Sequence, residues 1–389
     1  MKYDAAIVGA SIAGLYTGMK LAQNRWRVVV VDRRSAIGVP VPCGEATGNR
    51  AELSRFVKID ESWIARDIEG LAFHLNGAEA VSRAVPQAGV VLHRDRFEQA
   101  LAAAGTSRGM EIRLTTPVVG LARSGETFTG VLLENGDDVE ADFLIGADGC
   151  ESLVGRWAGL TGPLAESEAF SSVQYRVESG FCNDGYLHFF AGSRVIPRGY
   201  IWVFPKSSTT VSVGAGLYGS DRSPPRAERF LEAFLASHMP HAARRNLITG
   251  CVPLALCPRR LCKGNVVLVG DAARQCNPLT AAGIMNALEA ADLCVRKLLM
   301  SKGSTNHLLS YSRTWNGRPR RQQKVFLVLK EVFLASSDTE ISKAVFTLQS
   351  VFKAAPDRSR PFRFSLFKLL RLLCAFFPKA VRQWRVLLK

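Results

Sequence analysis

No Cys-x-x-Cys pair occurs in the 389 residues, and the nine cysteines, at 43, 150, 182, 251, 257, 262, 276, 294 and 374, are odd in number. A zinc ribbon and a disulfide framework are therefore not indicated, no metal ligands are singled out, and a reducing compartment is expected. No uninterrupted apolar run reaches about 18 residues, the length a helix needs to cross a bilayer, so no spanning helix is predicted. A secretory signal is not read either, because the apolar stretch from Ala5 to Met19 follows Asp4 and divides into a strand, a glycine turn and a helix. Acidic residues are scarce at one end. Residues 1–301 carry 32 Lys and Arg against 30 Asp and Glu, whereas residues 302–389 carry 18 against four, so nearly all of the net +16 lies there.

Within that basic end, Arg360, Arg363, Lys368 and Arg371 are interleaved with Phe362, Phe364, Leu366, Phe367 and Leu369, and the pattern continues past Pro378 to Trp384 and Leu388. Such spacing suits a helix lying in a membrane interface, or one packed on the protein body with a basic outer face. A surface that tracks phosphates has little use for so many Leu and Phe, so nucleic acid is not expected as a partner.

Three glycine-rich stretches carry most of the functional information. Gly9-Ala10-Ser11-Ile12-Ala13-Gly14 follows the apolar run Ala5 to Val8 and opens the amphipathic run Ile12 to Gln23. Backbone N–H groups at such a strand-to-helix turn can hold a pyrophosphate, although Ser11 stands where a glycine usually lets the backbone come close. A second apolar run ends at Asp32, about 20 residues on, where a carboxylate accepts hydrogen bonds from an adenosine ribose. Taken alone, the turn also fits any α/β protein. Gly146-Ala147-Asp148-Gly149 and Gly270-Asp271-Ala272-Ala273 change the balance, because an extended FAD must be held along its whole length. Asp271 closes an apolar run and precedes Pro278 to Ile284, which opens a long helical run, so a carboxylate is set beside a helix N-terminus.

With these motifs the chain resembles flavoproteins of the para-hydroxybenzoate hydroxylase fold over roughly residues 1–300. The resemblance implies FAD contacts at Gly9, Ser11, Ala13, Gly14, Asp32, Arg33, Cys43, Gly44, Arg94, Asp148, Gly270, Asp271, Pro278, Gly283 and Ile284. Arg274 departs from the glycine usual at its position. Pro197-Arg198-Gly199-Tyr200-Ile201-Trp202-Val203-Phe204-Pro205 further matches the P-x-x-Y-x-W-x-F-P pattern of the geranylgeranyl reductase family. Strand alternation puts Tyr200, Trp202 and Phe204 on one face, where they line an elongated apolar cavity or form an ordinary cross-strand cluster. Pro42-Cys43-Gly44-Glu45 is similar to the Cys-Gly-Glu segment of the archaeal reductases in that family. That likeness implies a place for Cys43 beside the flavin, whereas a single cysteine is by itself commonly a small buried hydrophobe.

The fold expected is α/β, with a Rossmann-like FAD-binding domain from residues 1–165 and 250–300, drawn mostly from about 1–50, 90–165 and 250–300. Residues 166–250 read as an antiparallel-sheet substrate domain (an α+β unit) ending in a helix from Pro225 to His238, and 301–389 as a helical, basic segment. Asn135-Gly136 marks a hairpin. Gly214-Ala215-Gly216-Leu217-Tyr218-Gly219 has the form G-x-G-x-x-G, but Ser223-Pro224-Pro225 follows it, so it reads as a strand end and turn. No separate NAD(P)H domain is visible, which leaves NAD(P)H or a ferredoxin-like protein as external electron donor.

The activity implied is saturation of double bonds in a prenylated lipid by hydride from reduced FAD, with Cys43, Tyr200 or ordered water supplying the proton. Catalytic roles fall to Cys43, Tyr200 and Trp202, and substrate contacts to Tyr200, Trp202 and Phe204. The expected location is the cytoplasm, peripheral on the cytoplasmic membrane face through residues 357–389. Two other readings remain, an aromatic monooxygenase or halogenase-like enzyme on the same fold and a non-catalytic, membrane-associated flavin-binding protein.

Overall fold

A computed structural model describes residues 2–219, 224–301 and 307–343. Two eight-stranded sheets organise them. In the first, Tyr3–Val8 pairs in parallel with Val28–Val31 and Asp138–Gly146, and Glu111–Arg113 and Val266–Leu268 extend it in parallel at either side. Val28–Val31 is four consecutive buried valines without alternation, the signature of a strand covered on both faces. Helix Ile12–Gln23 packs against helices Arg94–Thr106 and Ile284–Ser301, and all share one core with the strands. The hairpin at Asn135-Gly136 is present, with Gly136 at φ +88° between Thr127–Leu133 and Asp138–Gly146. This is the Rossmann-like α/β unit expected.

The second sheet runs Arg244–Pro253, Ala169–Glu178, Thr210–Tyr218, Ile196–Pro205, Tyr186–Gly192, Ile64–Leu75, Ala78–Leu92, Ala46–Thr47. Every pairing is antiparallel except Tyr186–Gly192 on Ile64–Leu75. The sequence reading counted residues 64–92 with the flavin domain, whereas they form a long hairpin in this second sheet. Their alternating burial suits a half-exposed antiparallel ribbon, and the Asn76-Gly77 turn, with φ of 53° and 89°, reverses it. Helix Pro224–His238 does not end the unit either, since Arg244–Pro253 follows and returns beside Ala169–Glu178.

The two faces of the sheet differ. Ile201, Val203, Val211, Val213 and Ala215 pack under Leu231, Phe234 and Leu235 of helix Pro224–His238. Trp202, Phe204, Phe170 and Tyr218 lie on the other face, with Tyr200 and Phe189 packed against them. The sequence reading ended a strand near Gly214, but the strand continues through Tyr218, and the glycines make room for rings. A Cβ at Gly214 would stand 2.1 Å from Trp202 Cζ2, and one at Gly216 2.0 Å from Phe170 Cζ.

Beyond residue 307, helix Leu308–Trp315 joins the first core through Leu308, Tyr311 and Trp315, and helix Arg318–Ala335 brings Phe333 and Leu334 to the aromatic face. Residues 344–389, which include the expected membrane segment 357–389, lie outside the described residues. Among the described residues no helix is long and apolar enough to cross a membrane.

Candidate functional site

The first glycine turn is closed by contacts that exclude side chains. Gly9 has φ +109°, and a Cβ there would lie 2.3 Å from the Ala147 carbonyl oxygen, while a Cβ on Gly14 would lie 1.9 Å from that of Gly9. Strand, turn and helix are thereby locked against Gly146-Ala147-Asp148-Gly149. Ser11 is the N-cap residue of helix Ile12–Gln23 but does not cap with its side chain. Its hydroxyl donates to Glu98 Oε1 at 2.7 Å and accepts from Arg94 Nη2 at 2.7 Å. The first hydrogen bond of the helix runs from Leu15 N to Ser11 O, so the N–H groups of residues 12–14 point out of its positive end.

Asp32 closes this end of the site. Its carboxylate accepts from Ala10 N at 2.6 Å and from Arg34 Nη2 at 2.9 Å. Burial alone would raise its pKa, but the hydrogen bonds from Arg34 and Ala10 outweigh it and hold the group below its usual value. Arg33, named from the sequence, is exposed, and Arg34 is the arginine that turns inward. Arg34 also lies 3.8 Å from Glu98, which is 1% exposed and held by Arg94 at 2.9 Å. The sequence reading missed Glu98 and Arg34, although Arg94 and Glu98 have the i, i+4 spacing of a helix pair.

At the second glycine stretch, Asp148 accepts from Ser152 Oγ at 2.6 Å and Val154 N at 3.0 Å, so its carboxylate is spent on starting helix Leu153–Trp157. Burial raises its pKa against those bonds. Asp271, by contrast, has no side-chain hydrogen bond among the described residues, and burial pushes it up to about 6, with Arg94 opposing. Gly270, at φ +66°, sits where a Cβ would meet Ala13 Cβ at 2.9 Å, and a Cβ on Gly283 would lie 3.6 Å from Asp271 Oδ1. Pro278 belongs to a turn in which Asn277 Oδ1 accepts from Leu279 N, and Ile284 begins the next helix. Arg274 takes the left-handed conformation, φ 54° and ψ 45°, that a glycine would adopt freely. Its guanidinium bonds the Gly162 carbonyl at 2.9 Å and approaches Glu168 at 3.7 Å, which anchors the strained residue.

The Cys-Gly-Glu segment and the aromatic strand meet at Gly44. A Cβ there would lie 2.8 Å from Phe204 Cε2 and 3.1 Å from Trp202 Nε1. Cys43 Sγ accepts from Glu45 N at 3.2 Å, and the thiol lies beside Arg94. Arg94 is kept above the usual arginine range by Glu98 and Cys43, against the pull of burial. Glu45 is 2% exposed, has φ +68°, accepts from Arg94 N at 3.0 Å and forms a buried ion pair with Lys206. Burial lowers the Lys206 pKa while Glu45 raises it. This pair spans 161 positions and left no local trace in the sequence.

Tyr200, Trp202 and Phe204 share one face, in register with Gly216, Gly214 and Ser212 of the neighbouring strand. Small partners leave room for the rings, with Phe170 stacked on Tyr200 at a centroid distance of 5.2 Å and Phe189 meeting Phe204 edge to face at 5.3 Å. Tyr200 Oη donates to the Thr280 carbonyl at 2.8 Å and Tyr218 Oη to that of Leu279, which joins the wall to the loop after Asp271. Burial raises the Tyr200 pKa. Trp202 Nε1 is buried without a hydrogen-bond partner among the described residues. The close glycine turns, the unpartnered Asp271 carboxylate and this indole N–H are the features an extended FAD would fill.

The FAD binding domain family matches residues 2–325. A digeranylgeranylglycerophospholipid reductase of Methanothrix thermoacetophila is 33% identical, with 99% of each chain covered, and one of Methanosarcina mazei is 32% identical over 100% of this chain and 97% of the other. The crystal structure of a geranylgeranyl bacteriochlorophyll reductase-like protein from Thermoplasma acidophilum superposes with a TM-score of 0.85 at 27% identity, covering 99% of both chains. Glycine turns, aromatic strand and relatives agree: the chain is an FAD-dependent oxidoreductase and belongs to the geranylgeranyl reductase family.

Proposed function

We propose that this enzyme saturates carbon–carbon double bonds in the prenyl chains of a glycerophospholipid. The observation that carries this reading is the contact at Gly44, where the Cys43 segment lies against Trp202 and Phe204. It supports a reading in which the Cys43 thiol and the aromatic rings serve one site, as proton source and apolar wall. Reduced FAD, when bound, supplies the hydride. Asp271 and the turn from Pro278 to Ile284 would hold its central chain and ring, and Asp32 and the Gly9–Gly14 turn would hold its nucleotide end.

An isolated alkene is a poor electrophile, so the wall must exclude water and fix the reacting carbon. Phe170, Tyr200, Trp202 and Phe204 offer that surface. Of the two side chains named as proton donors, Tyr200 already gives its hydroxyl proton to Thr280, whereas the Cys43 thiol lies beside the Arg94 guanidinium. Cys43 therefore delivers the proton to the alkene carbon next to the one that takes the hydride. Arg94 neutralises the thiolate that remains, and water restores the thiol. An external reductant, a reduced nicotinamide or a ferredoxin-like protein, renews the cofactor.

The basic segment 357–389 brings the enzyme to the cytoplasmic face of a membrane, where such a lipid resides. Each Lys or Arg near an anionic surface contributes about 1 kcal/mol, so a chain cut after Pro356 should keep FAD yet no longer sediment with anionic vesicles. The decisive experiment is mass spectrometry of an unsaturated prenyl glycerolipid incubated with the chemically reduced holoenzyme. A gain of two hydrogens per reduced bond is expected, falling steeply in Cys43→Ala with FAD retained. Oxygen insertion without saturation would overturn the reading in favour of a monooxygenase.

A further inference from the structure

On the face of the second sheet turned away from the aromatic wall, three potential metal ligands converge. His74 comes from Ile64–Leu75 and His188 from Tyr186–Gly192, the two strands that form the sheet's parallel pair. They are 9% and 5% exposed, and His74 Nε2 lies 3.0 Å from His188 Nδ1. Cys182, on the loop entering the second strand, brings its sulfur to within 4.8 Å of a ring nitrogen of each histidine. Asp184 Oδ1 lies 2.9 Å from His188 Nε2, so it fixes the ring with Nδ1 turned toward His74. A carboxylate behind a histidine is the usual support of a metal-binding imidazole.

We propose that His74, Cys182 and His188 bind a divalent cation of the zinc class, with Asp184 orienting His188 and water completing a tetrahedral set. Two imidazoles and one thiolate are the donors zinc prefers, and bonds of about 2.0–2.3 Å place them roughly 3.3–3.6 Å apart. The histidine nitrogens already stand nearly at that separation, and the Cys182 loop has about an ångström to close. Mutual hydrogen bonding explains the two rings without a metal. It does not explain a thiol brought close to both with no hydrogen-bond partner of its own among the described residues.

The Cys182 backbone has φ +51°, and the loop is secured by Asn183 to the Ser207 carbonyl at 2.8 Å and by Arg66 to Asn183 at 2.5 Å. Metal binding sends the thiol proton to solvent, and the proton shared between the rings moves to His74 Nδ1. The bound ion would staple the hairpin 64–92 to Tyr186–Gly192. Because the sheet lies between it and the aromatic wall, its role is structural.

The test uses FAD-loaded protein incubated with zinc or cobalt(II) and then desalted. Retention of about one ion per chain is expected, with a cobalt–thiolate charge-transfer band in the near ultraviolet. Cys182→Ser should abolish the band, and Asp184→Asn should weaken cobalt affinity about 10- to 100-fold with the band kept. Flavin absorbance and circular dichroism report folding. If Cys182→Ser does not fold, the thiolate band of the wild type and the affinity of Asp184→Asn decide. Failure of the wild type to retain either ion, or an unchanged band in Cys182→Ser, would overturn the proposal.

Discussion

Glycine does opposite work in the two sheets. In the parallel sheet, Gly9 and Gly14 let one peptide unit approach another, and the atoms a Cβ would strike are carbonyl oxygens held in the sheet and turn. In the aromatic sheet, Gly214 and Gly216 give way to the rings of Trp202 and Phe170, as Gly44 in the adjoining loop does to Phe204. A backbone obstacle cannot turn aside, but a ring can. The first region is therefore a fixed socket, and it falls within the match to the FAD binding domain family. The second is a surface whose contour can be redrawn by repacking, as the lipid site proposed above requires.

The sharpest test of this contrast is Gly14→Val. Its Cβ would fall on the Gly9 carbonyl, so FAD should be absent after gel filtration and the urea midpoint should drop by the equivalent of about 3 kcal/mol or more. Trp202→Ala comes next. Alkene reduction should fall roughly 100-fold, because loss of the wall misplaces the reacting carbon, while flavin absorbance per chain stays unchanged. Equal loss of flavin and activity would place the indole in the scaffold and erase the distinction between the sheets.

Asp271→Asn should separate binding from stability. In the FAD-free protein, burial raises the Asp271 pKa from 3.8 to about 6, so between those values the folded chain keeps a proton the unfolded chain has lost. Stability therefore falls as pH rises through that window, by about 3 kcal/mol at most. The asparagine variant should regain this above pH 6, gain nothing below about pH 4, and bind FAD more weakly. Urea midpoints of FAD-free protein across that range, with flavin titrations at neutral pH, check all three. The smallest effect is expected for Arg274→Gly. Relief of about 1–2 kcal/mol of left-handed strain is offset by loss of the bonds to Gly162 and Glu168, leaving a net change within about 1 kcal/mol by denaturant unfolding.

What could be read from the sequence was local. Ile12–Gln23 begins and ends as its periodicity required, and period-two alternation put Tyr200, Trp202 and Phe204 on one face. The partners that complete the site were not legible, because Glu45 and Lys206, or Ser11 and Glu98, are joined only by the fold. His74 and His188 are likewise 114 positions apart. Asn76-Gly77 did carry a signal, the same hairpin dipeptide read at Asn135-Gly136, and following it would have moved residues 64–92 into the second sheet. The reading of Gly214 to Gly219 failed for the opposite reason: a glycine pattern was taken for a break when it was a seat for rings.

Helix Arg318–Ala335 ties these regions together. Near its start, Gln323 accepts from Cys257 N at 2.9 Å and donates to the carbonyls of Arg274 at 2.6 Å and Cys276 at 3.1 Å. Ten residues on, roughly 15 Å along the axis, Phe333 and Leu334 rest on the aromatic face. One helix thus grips the loop at Arg274 and Cys276 near one end and rests on the aromatic rings near the other. Seated like a keystone between two arches, it fixes the spacing of the two, so a change that breaks the Gln323 bonds should disturb the packing of the aromatic face as well as the loop.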